Sequence, residues 1–484
     1  MIPRNWIKPM NEIKQIENNK KTNLANIMII AVCVIFMLAI MVIRFNIIDK
    51  RAFDETIFIY LSLVAVFSLC FTVVLFALKH LNTVRYTVKV FGLICFVISI
   101  TYAICIFIEK LSPYAMPVTL AVLLLSVFTD TKVAFLGNVF CVLMLYITLM
   151  SLAISGGQQM PYWLLPMMIF AVTAGTILSI TVNRDTRRLT FIFFGILINT
   201  ACLPLLIINE LITQFSFSEL INVLPYAPSL IFGSVLFALM LQPIIEVAFN
   251  VNSNFRLMEL CDHHRPLLLR LAKSAPGTFN HSLTVANLAE TCARAINENT
   301  YFARAAAYYH DVGKLKNTRY FKENQFNEAN PHDGLTPEVS CDIIRKHASQ
   351  GADICKEYRI PQEIAVITAE HHGTMPIAYF YNKAKEITDR EVDIKDYRYF
   401  GPIPTSKVAA IIMICDAAEA TVRAMKEHDY EKVEKIVKDI IDQRLRYGQF
   451  DNCDITLKDL ATIKDTIVSA FGGLYHERIQ YPEV

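Results

Sequence analysis

Long runs of apolar residues without Asp, Glu, Lys or Arg dominate the first half of the chain. Each run is long enough to cross the roughly 30 Å hydrocarbon layer as a helix, which takes about 20 residues. The longest run is about twice that length, and a turn-rich Gly-Gly-Gln-Gln-Met-Pro stretch at 156–161 divides it. The pattern therefore predicts eight transmembrane helices within residues 24–249. The uncharged runs are Leu24–Ile43, Thr56–Leu78, Val90–Ile108, Leu111–Thr129, Val133–Asn183, Leu189–Asn209 and Leu220–Ile245.

Lysine and arginine are distributed unevenly between the two sides that eight crossings would define. Segments on the side of the N-terminus hold 12 of these residues, and the opposite segments hold 4. Because cytoplasmic loops carry the excess of Lys and Arg, residues 1–23 are predicted to be a cytoplasmic tail. Eight crossings then return the chain to the cytoplasm near residue 250. The long charged tail and the lack of a small-residue cleavage site argue against a cleaved signal peptide.

After residue 250 the apolar positions follow helical spacing, and no alternation typical of strands is seen. Residues 250–275 are predicted to be a helical connector interrupted by Pro266, with a turn at Pro276-Gly277. Residues 276–484 are predicted to form a helical domain, in which polar loops at 317–338 and 376–406 form the rim of a pocket. The predicted fold class is all-α: a multi-span helical membrane domain followed by a cytoplasmic, all-helical domain.

Composition excludes several classes of protein. The chain is 54% hydrophobic and 19% charged, with a mean hydropathy of +0.39, which is too apolar for an ordinary soluble enzyme. Residues 1–250 hold 16 Lys and Arg against 11 Asp and Glu, and the remainder holds 30 against 33, so no basic domain indicates a DNA or RNA partner. None of the 12 cysteines forms a CxxC pair, which disfavours a disulfide framework or a thiolate zinc site. No span carries a charge near its centre, which disfavours ion transport.

Ten of the 11 histidines follow residue 250, and five of them recur on the predicted helices together with two aspartates. Imidazole and carboxylate groups together are the ligands of hydrolytic two-metal sites. Burial of a His-Asp pair and a His-His pair without such a role would be unfavourable. The candidate metal ligands are His281, His310, Asp311, His347, His371, His372 and Asp416.

The other histidines, and one lysine, have separate interpretations. His263-His264 follow the last span and are interpreted as juxtamembrane and non-ligating, whereas His428 and His476 are interpreted as surface residues. His332 lies in a polar loop and is a candidate substrate contact. Lys314, one helical turn after His310, would face the same site.

The arrangement resembles the HD superfamily of metal-dependent phosphohydrolases, since His281 is followed by His310-Asp311 with Val312-Gly313-Lys314, and then by Asp416 after an apolar run. His347 and His371-His372 are similar to the ligands that distinguish members with two metals. Over about residues 85–484 the chain also resembles the 7TM-HD family, the membrane-bound cyclic-di-AMP phosphodiesterases of bacteria. The segments that carry this second resemblance are Pro276–Ser282, His371–Thr374, Tyr447–Asp451 and His476–Pro482.

The resemblance implies a site and a reaction. Asp311 would bridge two ions, one held with His281, His310 and Asp416 and the other with His347, His371 and His372. Asp311 and Lys314 are the expected catalytic residues, and Lys314 and His332 the expected substrate contacts. Because the ligand set lacks thiolates, manganese or iron is expected rather than zinc. The enzyme would open cyclic-di-AMP to linear pApA at the bacterial cytoplasmic membrane, with the lipid bilayer as a partner, and a homodimer is left open.

Two further features bear on the alternatives. Family members usually carry a large extracellular domain after the first span, whereas Arg44–Glu55 spans only about 12 residues here, so we expect no extracellular sensory domain. Enzymes of the HD-GYP type, which act on cyclic-di-GMP, have Gly-Tyr-Pro shortly after the paired histidines, whereas this chain has Gly373–Pro376 with the sequence Gly-Thr-Met-Pro. Hydrolysis of cyclic-di-GMP or another nucleotide, and a non-catalytic membrane nucleotide sensor, remain as alternatives.

Overall fold

The computed structural model describes residues 7–474 apart from 81–86, 156–160, 184–185, 215–223, 326–328, 389–390 and 426–428. In this part of the chain the only bridge between extended segments is an isolated pairing of Pro376 with Arg398, and all regular elements are helices. The all-α prediction is therefore confirmed. The chain divides into two compact units, residues 1–254 and 255–484.

The N-terminal unit contains, in its described residues, seven apolar helices long enough to span a membrane. Together they confirm a multi-pass membrane protein. The predicted break in the longest run falls mainly on 156–160, outside the described residues, and the flanking helices end at Ser155 and begin at Leu164. The helices are α1 (Ile7–Val42), α2 (Phe53–His80), α3 (Val88–Glu109), the short α4 (Leu120–Phe128), α5 (Thr131–Ser155), α6 (Leu164–Thr181), α7 (Arg188–Gln214) and α8 (Ala227–Phe249).

The prediction of a continuous helix over Leu111–Thr129 is wrong. Pro113 begins a short 3-10 turn, the backbone is extended at Met116, and only α4 is α-helical. Pro113 and Pro117 explain the break. Proline lacks the backbone N–H that a helix interior needs, and it disfavours helical geometry in the residue before it. At 1.5 Å per residue, α4 is about 14 Å long, roughly half of the hydrocarbon thickness.

The broken segment nevertheless joins opposite ends of the helical unit. At one end, Lys110 pairs with Asp49, and Arg51 Nη1 donates to the Leu152 carbonyl over 3.1 Å. At the other end, the Lys79 ammonium donates to Asn23 Oδ1 over 3.2 Å. Leu78, next to Lys79, lines the same small pocket as Val133 at the start of α5. The chain therefore passes from the first end to the second between residues 110 and 133. The first part of this crossing is irregular, and the second part is α4.

Buried protein surroundings make this irregular crossing feasible. Residues 120–125 of α4 are fully buried, and Thr119 Oγ1, at its N-terminal end, donates to Asn199 Oδ1 over 3.2 Å. Asn199 Nδ2 in turn donates to the Ile231 carbonyl over 3.2 Å. Non-helical backbone is tolerated at membrane depth where neighbouring protein, rather than lipid, surrounds it.

The C-terminal unit contains ten α-helices in its described residues, counting α9, which begins at its boundary. The predicted connector is two short helices, and Pro266 begins the second of them instead of interrupting one. The helices are α9 (Asn254–Leu260), α10 (Pro266–Ser274), α11 (Pro276–Ala295), α12 (Thr300–Tyr309), α13 (Pro337–Glu357), α14 (Gln362–Glu370), α15 (Ala378–Ile387), α16 (Lys407–Arg423), α17 (Tyr430–Arg446) and α18 (Leu457–Leu474).

Two further local predictions need correction. Pro276-Gly277 is not a turn, because Pro276 occupies the first turn of α11, where a missing N–H leaves no hydrogen bond unmade. The segment 376–406 is not a simple loop, because it contains α15 and a 3-10 turn at Ile394–Tyr397. Residues 317–338 match the prediction better, with only 3-10 turns among the described residues up to 336, and α13 begins at Pro337.

Helix α16 lies at the centre of the C-terminal unit. It is buried along nearly its whole length, and Ser406 caps its N-terminus by accepting a hydrogen bond from the Ala409 N–H over 3.2 Å. The hydrophobic core that surrounds it includes α11, α12, α14, α17 and α18. Asp416 therefore sits on a rigid element, with the ends of two other helices directed towards it.

Candidate metal centre

Five segments of the C-terminal unit bring the seven predicted ligands together. His281 lies on α11, His347 on α13 and Asp416 on α16. His310-Asp311 directly follow α12, and His371-His372 directly follow α14. Their ligand atoms form two groups, and within each group all of these atoms lie within 4.8 Å of one another. The groups are His281, His310 and Asp416, and Asp311, His347, His371 and His372.

Asp311 lies between the two groups and offers one oxygen to each. Its Oδ1 is 3.3 Å from His347 Nε2 and 3.6 Å from His371 Nε2. Its Oδ2 is 3.4 Å from His310 Nε2 and 3.7 Å from His281 Nε2. This is the arrangement expected of a carboxylate that bridges two cations, and it matches the division of ligands that the resemblance implies.

Backbone carbonyls orient three of the histidines. The Nδ1 of His310, His347 and His371 lies 2.7, 2.6 and 2.7 Å, respectively, from the carbonyl of the residue three positions earlier. In each ring, Nδ1–H is the donor, because a carbonyl can only accept. The lone pair of Nε2 then faces the centre, which is the tautomer that a metal ligand needs.

His281 is oriented by a carboxylate instead. Its Nδ1 donates to Glu419 Oε2 over 2.5 Å, while its Nε2 faces Asp416 Oδ1 at 3.0 Å. Burial would lower the pKa of His281, but its hydrogen bonds with Asp416 and Glu419 raise the pKa to about 10. A carboxylate on the outer nitrogen fixes the ring and increases its basicity as a ligand.

Three buried polar atoms at the centre have no hydrogen-bond partner. They are His310 Nε2 and both carboxylate oxygens of Asp311, although Lys314 approaches Oδ2 as an ion pair at 2.6 Å. Burying such atoms without a partner is unfavourable. Divalent cations would supply the missing partners, and the imidazole and carboxylate donors suit manganese, iron or zinc. The residues present therefore fit divalent metal ions.

Burial and charge favour the ligand forms of Asp311, His371 and His372. Burial would raise the pKa of Asp311, but the charges of Lys314 and His310 hold it well below its usual range. Burial lowers the pKa of His371, and burial together with the charge of His371 holds the pKa of His372 well below its usual range. Ionised carboxylates and neutral imidazoles are the forms that bind metals.

Lys314 lies at the centre, as predicted, and two carboxylates hold it there. Its ammonium group is 2.6 Å from Asp311 Oδ2 and 2.7 Å from Glu323 Oε1. His332 is placed differently: its Nε2 donates to the Tyr320 carbonyl over 2.9 Å, and its ring lies 5.0 Å from that of Phe380. None of its described contacts is with the seven ligands, so a substrate contact at His332 stays a prediction.

The remaining histidine predictions have mixed outcomes. His263 packs its ring against Tyr308 and Phe279 in the C-terminal unit, away from both ligand groups. His264 is exposed and pairs with Asp262, so neither histidine of the pair joins the centre. His428 and His476, with the motif that ends at Pro482, lie outside the described residues.

Sequence reasoning missed several residues that support the centre. Glu419 carried a local signal, since it follows Asp416 by one helical turn on a buried helix. Tyr399 stacks on the His372 ring at 4.2 Å, and Gln449 binds both the N–H and the hydroxyl of Thr374 over 2.9 Å. Gln449 belongs to the quoted segment Tyr447–Asp451, but both residues lie far from their partners along the chain, so no local pattern could have identified these contacts.

The segment that carries this centre is similar to known proteins. The model of the HD domain matches residues 278–421. The chain is 38% identical to the cyclic-di-AMP phosphodiesterase PgpH of Listeria monocytogenes over 375 residues, which are 76% of this chain and 50% of that protein. It is 44% identical to PgpH of Bacillus subtilis over 252 residues, 52% of this chain and 35% of that protein. The chain thus spans half or less of the length of these curated relatives.

A solved structure covers the same domain. The crystal structure of the L. monocytogenes phosphodiesterase PgpH HD domain in complex with cyclic-di-AMP is 49% identical in sequence. It aligns with 45% of this chain and 100% of its own, with a TM-score of 0.43.

Proposed function

We propose that this chain, whose residues 278–421 match the HD domain, is a membrane-anchored phosphodiesterase that hydrolyses cyclic-di-AMP to linear pApA at a centre of two metal ions. The position of Asp311 carries the proposal, because its two oxygens face two separate groups of ligands. The names of the relatives, which are cyclic-di-AMP phosphodiesterases, support the choice of substrate. Lowering the level of this second messenger would be the outcome.

The seven ligands would hold two separate ions, as their positions suggest. One ion would be held by His281, His310, Asp311 and Asp416, and the other by Asp311, His347, His371 and His372. Two divalent ions in such a site lower the pKa of a bound water and withdraw charge from a phosphate oxygen. Asp311 would contribute one oxygen to each ion. The three histidines whose Nδ1 binds a backbone carbonyl direct their Nε2 atoms towards the centre.

Lys314 would place a positive charge at the edge of the centre. Burial would lower the pKa of Lys314, but Asp311 and Glu323 raise it, so the side chain is an ammonium at neutral pH. A cation fixed in advance stabilises charge that develops on a phosphoryl group without reorganising during the reaction. Glu323 is then a positioning residue, since it holds the Lys314 ammonium from the other side.

Manganese or iron is the proposed metal, and metal removal tests it. Full-length protein in detergent, stripped with a chelator, should lose cyclic-di-AMP hydrolysis and regain it with Mn²⁺ or Fe²⁺ more than with Zn²⁺ or Mg²⁺. The product should be pApA, identified by chromatography against a standard. Undiminished turnover after complete metal removal, verified by elemental analysis, would contradict the proposal.

Glu419→Gln is expected to weaken metal binding about tenfold or more, because the neutral amide no longer polarises the His281 ring. The measurement is the Mn²⁺ concentration that gives half-maximal activity in metal-stripped protein. Glu290→Gln is a matched control, since Glu290 lies on the same helix as His281 and pairs with two arginines, Arg294 and Arg304. If the Glu419 variant and the wild type needed the same Mn²⁺ concentration for half-maximal activity, Glu419 would have no role in metal binding.

We propose that the N-terminus and the C-terminal unit both lie in the cytoplasm, which the excess of Lys and Arg on one side supports. Alkaline phosphatase fused after Lys110 should be active, because this enzyme works only outside the cytoplasm. Fused after Asp130 or Asn250 it should be inactive, and green fluorescent protein should give the reverse pattern. Activity after both Lys110 and Asp130 would mean that the segment between them does not cross the membrane.

A further inference from the structure

Residues 318–324, here named the strap, lie directly against the first turn of α11. The strap consists of two 3-10 turns, Thr318–Tyr320 and Lys322–Asn324, joined at Phe321. Gly277 in the first turn of α11 shows how close the contact is, because a Cβ atom there would overlap the carbonyl oxygen of Glu323. The backbone of the strap therefore packs on the backbone of the helix, which only a glycine at position 277 permits.

Asn324 in the strap caps the N-terminus of α11. The first N–H groups of a helix have no partner within the helix, and Ala275 at the N-cap makes no side-chain hydrogen bond to them. Asn324 Oδ1 accepts from the Thr278 N–H over 3.1 Å, and Asn324 Nδ2 donates to Thr278 Oγ1 over 2.9 Å. One amide thus binds both the backbone and the hydroxyl of Thr278, which fixes the strap to the helix.

The Thr278 hydroxyl connects this cap to Lys314. Thr278 is fully buried, and its hydroxyl has one proton to donate. Because Asn324 Nδ2 donates to the hydroxyl oxygen, the hydroxyl proton is free for Glu323 Oε1, which lies 3.1 Å away. The same Glu323 oxygen accepts from the Lys314 ammonium over 2.7 Å. Thr278 and Lys314 therefore hold one carboxylate oxygen between them.

Phe321 gives the strap a second contact with Lys314. Its buried ring lies 5.1 Å from the Lys314 nitrogen and 5.6 Å from the ring of His347. An ammonium group is attracted to the face of an aromatic ring. A strap that moved away from α11 would therefore take both Glu323 and Phe321 away from Lys314.

We propose that Thr278 is a positioning residue that keeps the Lys314 ammonium at the edge of the metal centre, acting through Glu323 and the strap. The inference rests on the proposed function, in which Lys314 stabilises charge on the phosphoryl group. Asp311, the other carboxylate that contacts Lys314, is also a candidate ligand of both ions, so Glu323 is the partner outside the ligand set. A cation that is fixed in advance stabilises the transition state without reorganising, so a loosened strap should slow the reaction more than it weakens substrate binding.

Thr278→Val, which keeps the shape of the side chain without the hydroxyl, should lower kcat for cyclic-di-AMP about tenfold in the full-length protein. KM should change less than about twofold, because the lost interaction acts on the transition state. Thr278→Ser, which keeps the hydroxyl, should stay within about threefold of the wild-type kcat. Thr291→Val is the matched control, since Thr291 is exposed on the same helix and its hydroxyl donates to the Asn287 carbonyl. A wild-type kcat in Thr278→Val would overturn the inference.

A double variant tests whether Thr278 acts through Lys314. Lys314→Met should lower kcat about 100-fold, because the cation itself is removed. Adding Thr278→Val to Lys314→Met should then lower kcat less than about twofold further, since a residue that acts through Lys314 has no separate effect once Lys314 is gone. A further loss of about tenfold would show that Thr278 acts independently of Lys314, and it would overturn the inference.

Amide hydrogen exchange separates this inference from the proposed function. The N–H groups of residues 318–324 should exchange at least about fivefold faster in Thr278→Val than in the wild type and in Thr291→Val. Gly277→Ala, which displaces Glu323 but keeps the Thr278 hydroxyl, should accelerate the same exchange. If the wild type did not hydrolyse cyclic-di-AMP, the proposed function would fail, but the exchange rates would still show whether Thr278 holds the strap. Equal exchange in the wild type, Thr278→Val and Gly277→Ala would contradict the anchoring of the strap on α11.

Discussion

Asp311→Asn is expected to reduce kcat/KM for cyclic-di-AMP roughly 1000-fold. Asp311 is fully buried between the two groups of metal ligands and directs one carboxylate oxygen towards each of them. An amide offers one oxygen, and its NH2 group repels a cation, so the two ions could not share it. Metal ions in hydrolytic sites supply several kcal/mol of charge stabilisation, and about 4 kcal/mol corresponds to roughly three powers of ten in rate. The rate of pApA formation at saturating Mn²⁺ measures the effect.

The control for this variant must separate lost metal from lost fold. Asp353→Asn removes a carboxylate from α13, where Asp353 is exposed and pairs only with Lys356 among the described residues, and its activity should match the wild type. Elemental analysis of Asp311→Asn should give fewer metal ions per chain, with an unchanged circular dichroism spectrum. More than one tenth of the wild-type activity in Asp311→Asn would show that the carboxylate does not bridge a catalytic pair of ions.

Gly313→Ala is expected to destabilise the C-terminal unit and remove most activity. A Cβ atom at Gly313 would overlap the carbonyl oxygen of His347 and the N–H nitrogen of Gly351, both backbone atoms of α13. Backbone atoms of a packed helix cannot rotate away as a side chain can, so α13 must shift, and overpacking of this kind costs about 1–3 kcal/mol. The shift would move His347 away from Asp311, which lies 3.3 Å from it.

The measurement is the Tm of the C-terminal unit within the full-length protein, followed together with cyclic-di-AMP hydrolysis. For a unit of this size each kcal/mol lowers the Tm by about 2–4 °C. Gly472→Ala is the matched control, since a Cβ there would meet no atom within 4 Å, and alanine is a better helix former than glycine. An unchanged Tm and activity in Gly313→Ala would mean that α13 does not pack closely against the residues after Asp311.

The sequence predicted which seven side chains gather at the centre, and two pairs among them carry a local signal. A His-Asp pair and a His-His pair at the ends of apolar helices are rare outside metal sites, and they can be recognised without knowing how the helices pack. Tyr399 and Gln449 could not be predicted in this way, because their partners His372 and Thr374 lie 27 and 75 positions away along the chain. Only the packed fold brings them together.

Hydropathy was sufficient to predict most of the helices of the N-terminal unit, but not the structure of Leu111–Thr129. An uncharged apolar run indicates that a segment can lie within the membrane. It does not show that the backbone of the segment is helical. Pro113 carried the missing signal, since a proline near the start of a run favours a turn or an extended segment over a helix interior. The same kind of signal would have placed Pro276 at the beginning of α11 instead of in a turn, because proline is favoured in the first helical turn.

Turnover of cyclic-di-AMP and cyclic-di-GMP by the full-length protein, measured side by side with Mn²⁺, tests the central claim most directly. We expect conversion of cyclic-di-AMP to pApA with a kcat/KM at least about tenfold higher than for cyclic-di-GMP. Tight binding of cyclic-di-AMP without turnover in Mn²⁺, Fe²⁺, Mg²⁺ or Zn²⁺ would instead identify a membrane nucleotide sensor, and preferred cleavage of cyclic-di-GMP would contradict the assigned substrate.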